Sequence, residues 1–215
     1  MYIPKHFGAP SDEAIEVLIK TFPLANLLTA CADEPSGWTV NPVPVGLFEP
    51  LAKGSRLWAH VARANPLWEG LADQPQAILM FNGPSAYITP NAYPSKQATH
   101  RVVPTYNYTA VQLTGRLTVH HDAAVKQDIV ERLTNYHERE QPVPWSINEA
   151  PADYLQAMLK AIVGLEFTVE TTQAKWKVSQ NRPTADQQGV IADLERRQDL
   201  AATAQMAALV RQTTS

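Results

Sequence analysis

Apolar residues recur along this chain in two rhythms, and the change from one to the other marks out the elements. Ile15, Leu18, Ile19 and Phe22 fall at helical spacing after Ser11, with Asp12 and Glu13 in the first turn, and predict an amphipathic helix. From Leu24 the spacing shortens to that of strands. Residues 24–32 form one candidate, followed by a turn around Pro35-Ser36-Gly37. Residues 38–48 form the next, with Val43, Val45 and Leu47 on one face, and residues 55–61 come after Gly54. Residues 77–81 make a short apolar strand that Asn82-Gly83-Pro84 is expected to bend or bulge. Beyond that bend Ser85, Tyr87 and Thr89 point one way, and Ala86 and Ile88 the other.

Residues 91–101 read as a loop, and residues 102–119 as a long strand interrupted near Gly115. Asp122 is placed to cap a helix presenting Val125, Ile129, Leu133 and Tyr136. Pro151 opens another with Tyr154, Leu155, Met158, Leu159 and Ile162, which Gly164 is expected to end. Residues 165–170 and 174–179 read as two last strands. From Thr184 the pattern is helical again, with Val190, Ile191 and Leu194, then an alanine-rich run to Arg211. Several strands in succession without βαβ alternation predict an α+β, mainly β chain: one antiparallel barrel with peripheral helices.

The stretch HVARANPLWEGLADQP (residues 60–75) breaks this pattern in an informative way. A strand-like run through His60 meets Arg63-Ala64-Asn65-Pro66, where Asn65 suits an N-cap and Pro66 the first helical position. Pro75 is expected to stop the helix. A helix start collects anions, and Arg63 beside it carries a planar cation suited to phosphate. On this stretch alone, a phosphate seat and a solvated arginine beside a capped surface helix are both open.

Composition narrows the classes. The chain has 215 residues, 45% hydrophobic and 18% charged, as expected of an ordinary globule with a sizeable core. A net charge of −3 gives no global positive field to recruit nucleic acid or anionic membrane. Cys31 is the single cysteine, so there is no disulfide framework and no thiol metal site. MYIPKHFGAP holds no signal-peptide core and no apolar run is long enough for a bilayer, which predicts a cytoplasmic protein. Seventeen prolines against nine glycines, many at element edges, suggest short strands with stiff connections.

Four clusters carry candidate chemistry. They are His60, Arg63 and Asn65; Ser85, Tyr87 and Thr89; Thr105 and Asn107, with Tyr106 and Tyr108 opposite; and Lys177, Ser179 and Asn181, with Trp176, Val178 and Gln180 opposite. Each alone is compatible with an ordinary strand face or turn. Together they supply cations for a phosphate, hydroxyls and amides for a sugar chain, and flat side chains for a ring. Neither GxGxxG nor GxxxxGK[ST] occurs, and HExxH is missing. His120 and His121 are adjacent on a strand and make a poor metal pair, so no metal site is expected. Cys31 reads as a buried small residue rather than a nucleophile.

The order of motifs resembles the PaiB family of FMN-binding negative transcriptional regulators. The resemblance rests on MYIPKHF, HVARANP, FNGPSAYITP, VVPTYNYTAVQLTGRL, IVGLEFTVE and KWKVSQNR with GVIADL after it, which together run through most of the chain. It implies a split β-barrel like that of the flavin-dependent pyridoxamine-phosphate oxidases, and a homodimer holding FMN in clefts between subunits. On that basis residues 1–183 are the FMN-binding split-barrel domain, and residues 184–215 a C-terminal helical extension packed on it. Position by position, the resemblance places His60, Ala62, Arg63 and Asn65 near the cofactor. Ser85, Tyr87, Thr105 and Asn107 line the cleft, and Lys177, Ser179 and Gln180 come from the last motif. Arg63 and Lys177 are the expected phosphate contacts, while Trp176 either packs on the ring or fills the core. Tyr106 stands where the family's usual tryptophan would be.

Three functions remain in view. One is a dimeric flavoprotein repressor, although Arg196, Arg197 and Arg211 are matched by Asp186, Asp193, Glu195 and Asp199, so the tail is no basic arm and DNA enters by family analogy alone. A second is a flavin oxidoreductase acting on a small molecule, for which no catalytic acid or base can be named. The third is haem binding or degradation with His60 as the candidate ligand.

Overall fold

The computed structural model describes residues 1–31, 34–69, 71, 75–197 and 201–214. Its elements alternate as α1 (Asp12–Thr21), β1 (Leu24–Ala30), β2 (Trp38–Pro44), β3 (Gly46–Leu47), β4 (Arg56–Ala62), β5 (Gln76–Ile88), α2 (Ser95–Thr99), β6 (Thr105–His120), α3 (Ala123–Glu138), α4 (Ala152–Lys160), β7 (Ile162–Lys177), α5 (Thr184–Arg196) and α6 (Ala201–Gln212). The seven strands form one sheet in the order β2-β1-β5-β6-β7-β4-β3. Every pairing of defined register is antiparallel: β1 with β2 and β5, β3 with β4, and β4 with β7. This is the α+β, mainly antiparallel class that the alternation predicted, and the split barrel that the family resemblance implied.

Contacts divide the chain into two compact units. One comprises Met1–Ile15, Asn82–Val111 and Gln173–Ser215; the other comprises Glu16–Phe81 and Gln112–Thr172. In the second unit, Leu27, Val43, Val45, Leu57, Ala59, Leu79, Leu117, Leu165 and Phe167 surround a void of only about 10 Å³. The inward positions of the strands thus fill the space between them. Asp122 accepts from the N–H groups of Ala124 and Val125 at 2.9 and 3.1 Å and starts α3. That helix packs on β3, β4 and α4. β2 is an edge strand, which accommodates Pro42 and Pro44 because their missing N–H groups need no partner on the open side. In the first unit α5 packs on α6 and on the turn Pro90–Ala92. Val190, Leu194, Met206 and Val210 are fully buried.

Several boundaries depart from the sequence expectation. β5 runs through Asn82-Gly83-Pro84 as one strand of 13 residues, and β7 joins the two expected last strands into one of 16. Residues 38–48 split instead into β2 and β3. The expected loop 91–101 contains a 3₁₀ turn and α2, held by buried Asp186, which accepts from the N–H and hydroxyl of Ser95 at 3.0 and 2.7 Å. Gly164 does not end α4, which stops at Lys160; it lies within β7, where a Cβ would come within 2.8 Å of the Ile129 side chain. The α4 face expected to be buried leaves Tyr154 and Met158 exposed, with only Leu159 inside. Cys31 is half-buried at the β1–β2 connection rather than in the core.

Gly115 interrupts nothing: β6 passes through it unbroken. It is glycine because a Cβ there would lie 2.0 Å from the carbonyl oxygen of Thr168. Backbone cannot yield as a flexible side chain does. Gly115→Ala is therefore expected to lower stability by roughly 2 kcal/mol or more in urea unfolding. An unchanged midpoint would show that the two strands separate freely.

Candidate functional site

The candidate residues fall into two groups, one in each unit. In the second unit, β4 carries Arg56, Trp58, His60 and Ala62 on the face opposite the core residues Leu57, Ala59 and Val61. His60 presents open surface, yet the protein around it desolvates the ring enough to push its pKa below the ordinary histidine value. Beyond Ala62 the chain turns. Asn65 accepts from the Leu67 N–H at 2.9 Å and donates to Asn41 Oδ1 at 3.1 Å.

The helix expected after Asn65 does not form. Pro66–Trp68 is a single 3₁₀ turn, and Glu69 is already extended. One turn sums too few peptide dipoles to build an anion seat, so that part of the phosphate argument falls. Residues 70 and 72–74 lie outside the described residues. Arg63 is also less free than expected. Its Nε donates to the carbonyl of Lys160 at 2.8 Å and its Nη2 to that of Ile162 at 3.2 Å. The guanidinium lies 5.8 Å from the Trp68 ring centroid. Buried Lys126 donates to the carbonyls of Leu159 and Ile162 from the other side, and burial and Arg63 hold its pKa below the ordinary lysine value. Two cations thus bind the carbonyls at the C-terminal end of α4 and at the first residue of β7, where a helix end leaves carbonyls without helical partners.

The remaining candidates lie in the first unit. Lys177, the last residue of β7, donates to Thr105 Oγ1 and to the carbonyl of Tyr106. Both acceptors are neutral, and no described carboxylate pairs with it. Burial, then neighbouring Lys175 and Arg182, lower its pKa below the ordinary lysine value. Asn107 is buried and donates to Ser179 Oγ at 2.8 Å. Strand alternation ends here, because Ser179 adopts a left-handed backbone (φ 66°) and Val178 and Ser179 are both buried. The expectation of Lys177, Ser179 and Asn181 sharing one face therefore does not hold.

Gln180 folds back on its own turn, accepting from the Val178 N–H at 2.8 Å and donating to the Trp176 carbonyl. Trp176 is buried in the core. Ser85 and Tyr87 are exposed on β5, as their alternation predicted. The rings of Tyr87 and Tyr106, 44% and 56% exposed, meet edge to face at 6.2 Å. Arg182 is a residue that the sequence pattern does not single out. Its guanidinium covers the Tyr93 ring at 4.6 Å, a contact across 89 positions that no local pattern signals.

The donor set fits a phosphorylated flavin. An uncompensated ammonium suits a phosphate, hydroxyl and amide groups suit a ribityl chain, and two bare phenol rings suit a flat heterocycle. A family model described as "Putative FMN-binding domain" matches residues 1–171. The Bacillus subtilis protease synthase and sporulation protein PAI 2 is 30% identical over 196 residues, covering 91% of this chain and 89% of that one. The chain belongs to the PaiB-like FMN-binding family.

A relative from Aspergillus fumigatus is 34% identical over 172 residues, 73% of this chain, and the chain spans 63% of its length. Among solved structures, the flavocytochrome Anf3 of Azotobacter vinelandii matches 81% of this chain and 72% of its own, at a TM-score of 0.53 and 16% identity. An FAD- and haem-binding protein of Mycobacterium smegmatis matches 79% and 72%, at 0.56 and 16%. These two establish fold alone. The family model takes in every candidate from His60 to Asn107 and ends before Trp176, Lys177, Ser179 and Gln180. No helix among the described residues is long and apolar enough to cross a membrane.

The depressed pKa of His60 gives a stability test. Between its folded value and about 6.5 the unfolded chain binds more protons, so stability rises with pH across that window and levels off above it. Denaturant unfolding from pH 5 to 8 should show this rise in the wild type and a flatter profile in His60→Gln. Parallel profiles would mean that the ring is as free to protonate as in the unfolded chain.

Proposed function

We propose that this FMN-binding chain is a homodimeric regulator of the PaiB type, in which a second copy completes each cofactor cleft. The observation that carries the reading is Lys177, a half-buried cation without a carboxylate, beside Thr105 and the exposed pair Tyr87 and Tyr106. In the first unit Lys177 would hold the phosphate; in the second, Arg63 keeps the Nη1 that its carbonyl contacts leave over as a donor for an anion. Ser85 and Thr105 would meet the ribityl chain, while Asn107 and Ser179, buried and bonded to each other, would fix the turn after β7 behind them. His60, Ala62 and Asn65 are open or half-open at the end of β4, as side chains awaiting a partner surface would be. When bound, FMN supplies the redox chemistry of its ring; the protein groups bind, orient and desolvate it.

The regulatory part draws on PAI 2, whose name assigns it to protease synthesis and sporulation. Electrostatics sets a limit on how DNA could be met. Arg196 and Arg197 are both within 3.4 Å of Asp193, and Arg211 pairs with Glu195. The C-terminal helices therefore offer paired rather than free cations and make a poor surface for DNA.

Protein purified without added cofactor should show flavin absorption near 375 and 450 nm, roughly the bands of the free chromophore, and sediment at twice 23.8 kDa. Its own upstream region should shift in a mobility assay at physiological salt, and removal of flavin should change that shift. A Soret band, or a dimer that ignores DNA with and without flavin, would overturn the regulatory reading.

A further inference from the structure

The turn that follows β7 in the first unit carries a second cation, Arg182, five positions beyond Lys177. The backbone between them is firmly held. The Arg182 N–H donates to the Ser179 carbonyl at 2.9 Å, and buried Gln187 on α5 donates its amide to the carbonyls of Ser179 and Arg182 at 3.3 and 3.1 Å. Ser179 is in turn bonded to Asn107 on β6. The half-buried side chain is held as well, because its guanidinium lies over the ring of buried Tyr93 at 4.6 Å. Stacking on a ring uses the face of a guanidinium and leaves the N–H groups at its edge free to donate.

No described carboxylate pairs with Arg182. Asp186, whose charge also acts on Tyr93, gives its two oxygens to the N–H and hydroxyl of Ser95. Arg182 lies close enough to Lys177 for the two charges to oppose each other. The third cation nearby is already engaged: Lys175 is buried against the rings of Tyr2 and Tyr108, at 5.7 and 5.2 Å, and donates to the Tyr2 carbonyl. Two like charges are thus held beside one turn, one as a point charge and one as a planar fork, without an anion between them.

We infer that Arg182 is the second cation of the phosphate seat that Lys177 begins, with Tyr93 as the platform that positions it. The inference rests on the flavin reading and adds a ligand to it. A phosphate monoester carries about −1.5 to −2 charges at neutral pH, and Lys177 alone answers one of them. The guanidinium supplies the other and can span two phosphate oxygens at once.

Titration of apoprotein with FMN and with riboflavin, which lacks the phosphate, tests this. Arg182→Ala should weaken FMN about ten- to a hundredfold and leave riboflavin within about twofold of wild type. Arg182→Lys, which restores the charge without the fork, should recover part of the loss. Circular dichroism and the retained riboflavin affinity check that the variants fold. Unchanged FMN affinity in Arg182→Ala overturns the inference, and if Lys177→Ala weakens FMN in the same series the flavin reading stands without it. Equal losses for both ligands, or a lysine variant no better than the alanine one, would trace the effect to the turn's structure and also overturn it. Wild type that takes up neither ligand ends the flavin reading and this inference together.

Discussion

An ammonium held half-buried beside neutral oxygens is the constraint on which the functional account depends. Lys177 gives two of its N–H groups to Thr105 and Tyr106, but neither oxygen neutralises its charge, and Lys175 and Arg182 oppose it. A surface lysine avoids such a position by swinging into water; this one sits at the last residue of a 16-residue strand. Holding a cation where its charged form is disfavoured costs stability, and an incoming dianion recovers that cost. The neighbouring groups fit the same ligand: the Thr105 hydroxyl for a sugar chain, and the exposed phenols of Tyr87 and Tyr106 for a flat ring.

The other predicted phosphate ligand shows how one residue can serve scaffold and site together. Arg63 ties the end of α4 to the start of β7 by donating to the carbonyls of Lys160 and Ile162, and Lys126 donates to those of Leu159 and Ile162. A guanidinium so anchored has lost most of its rotamer freedom, which lowers the entropy cost of any further contact its remaining nitrogen makes. The same anchoring means that loss of Arg63 affects stability as well as binding. Lys177 is therefore the cleaner reporter of the cofactor.

Much of the fold was legible because its signals are local. Alternation in β1, β4 and β5, the cap at Asp122, and the helical spacing after Ser11 and Thr184 all reappear in the structure. The expectations that failed were set by distant neighbours. Gly115 looked like a bulge and is instead a close approach to Thr168, and Gly164 looked like a helix stop and makes room for Ile129. Gly83 and Pro84 looked like a bend within what is one continuous strand. Asn65-Pro66 carried a true cap signal, but the cap serves a single 3₁₀ turn, because N-terminal chemistry does not fix helix length. In the candidate site the residue types were legible, whereas the Asn107–Ser179 and Asn41–Asn65 bonds join positions 72 and 24 apart and leave no local mark.

The most direct test compares FMN with riboflavin, which has the same ring and ribityl chain without the phosphate, on wild type and Lys177→Ala apoprotein. The account predicts that the substitution weakens FMN about ten- to a hundredfold and leaves riboflavin nearly unchanged, as expected for loss of one charge-assisted contact. Equal losses for both ligands, or none for FMN, would contradict it.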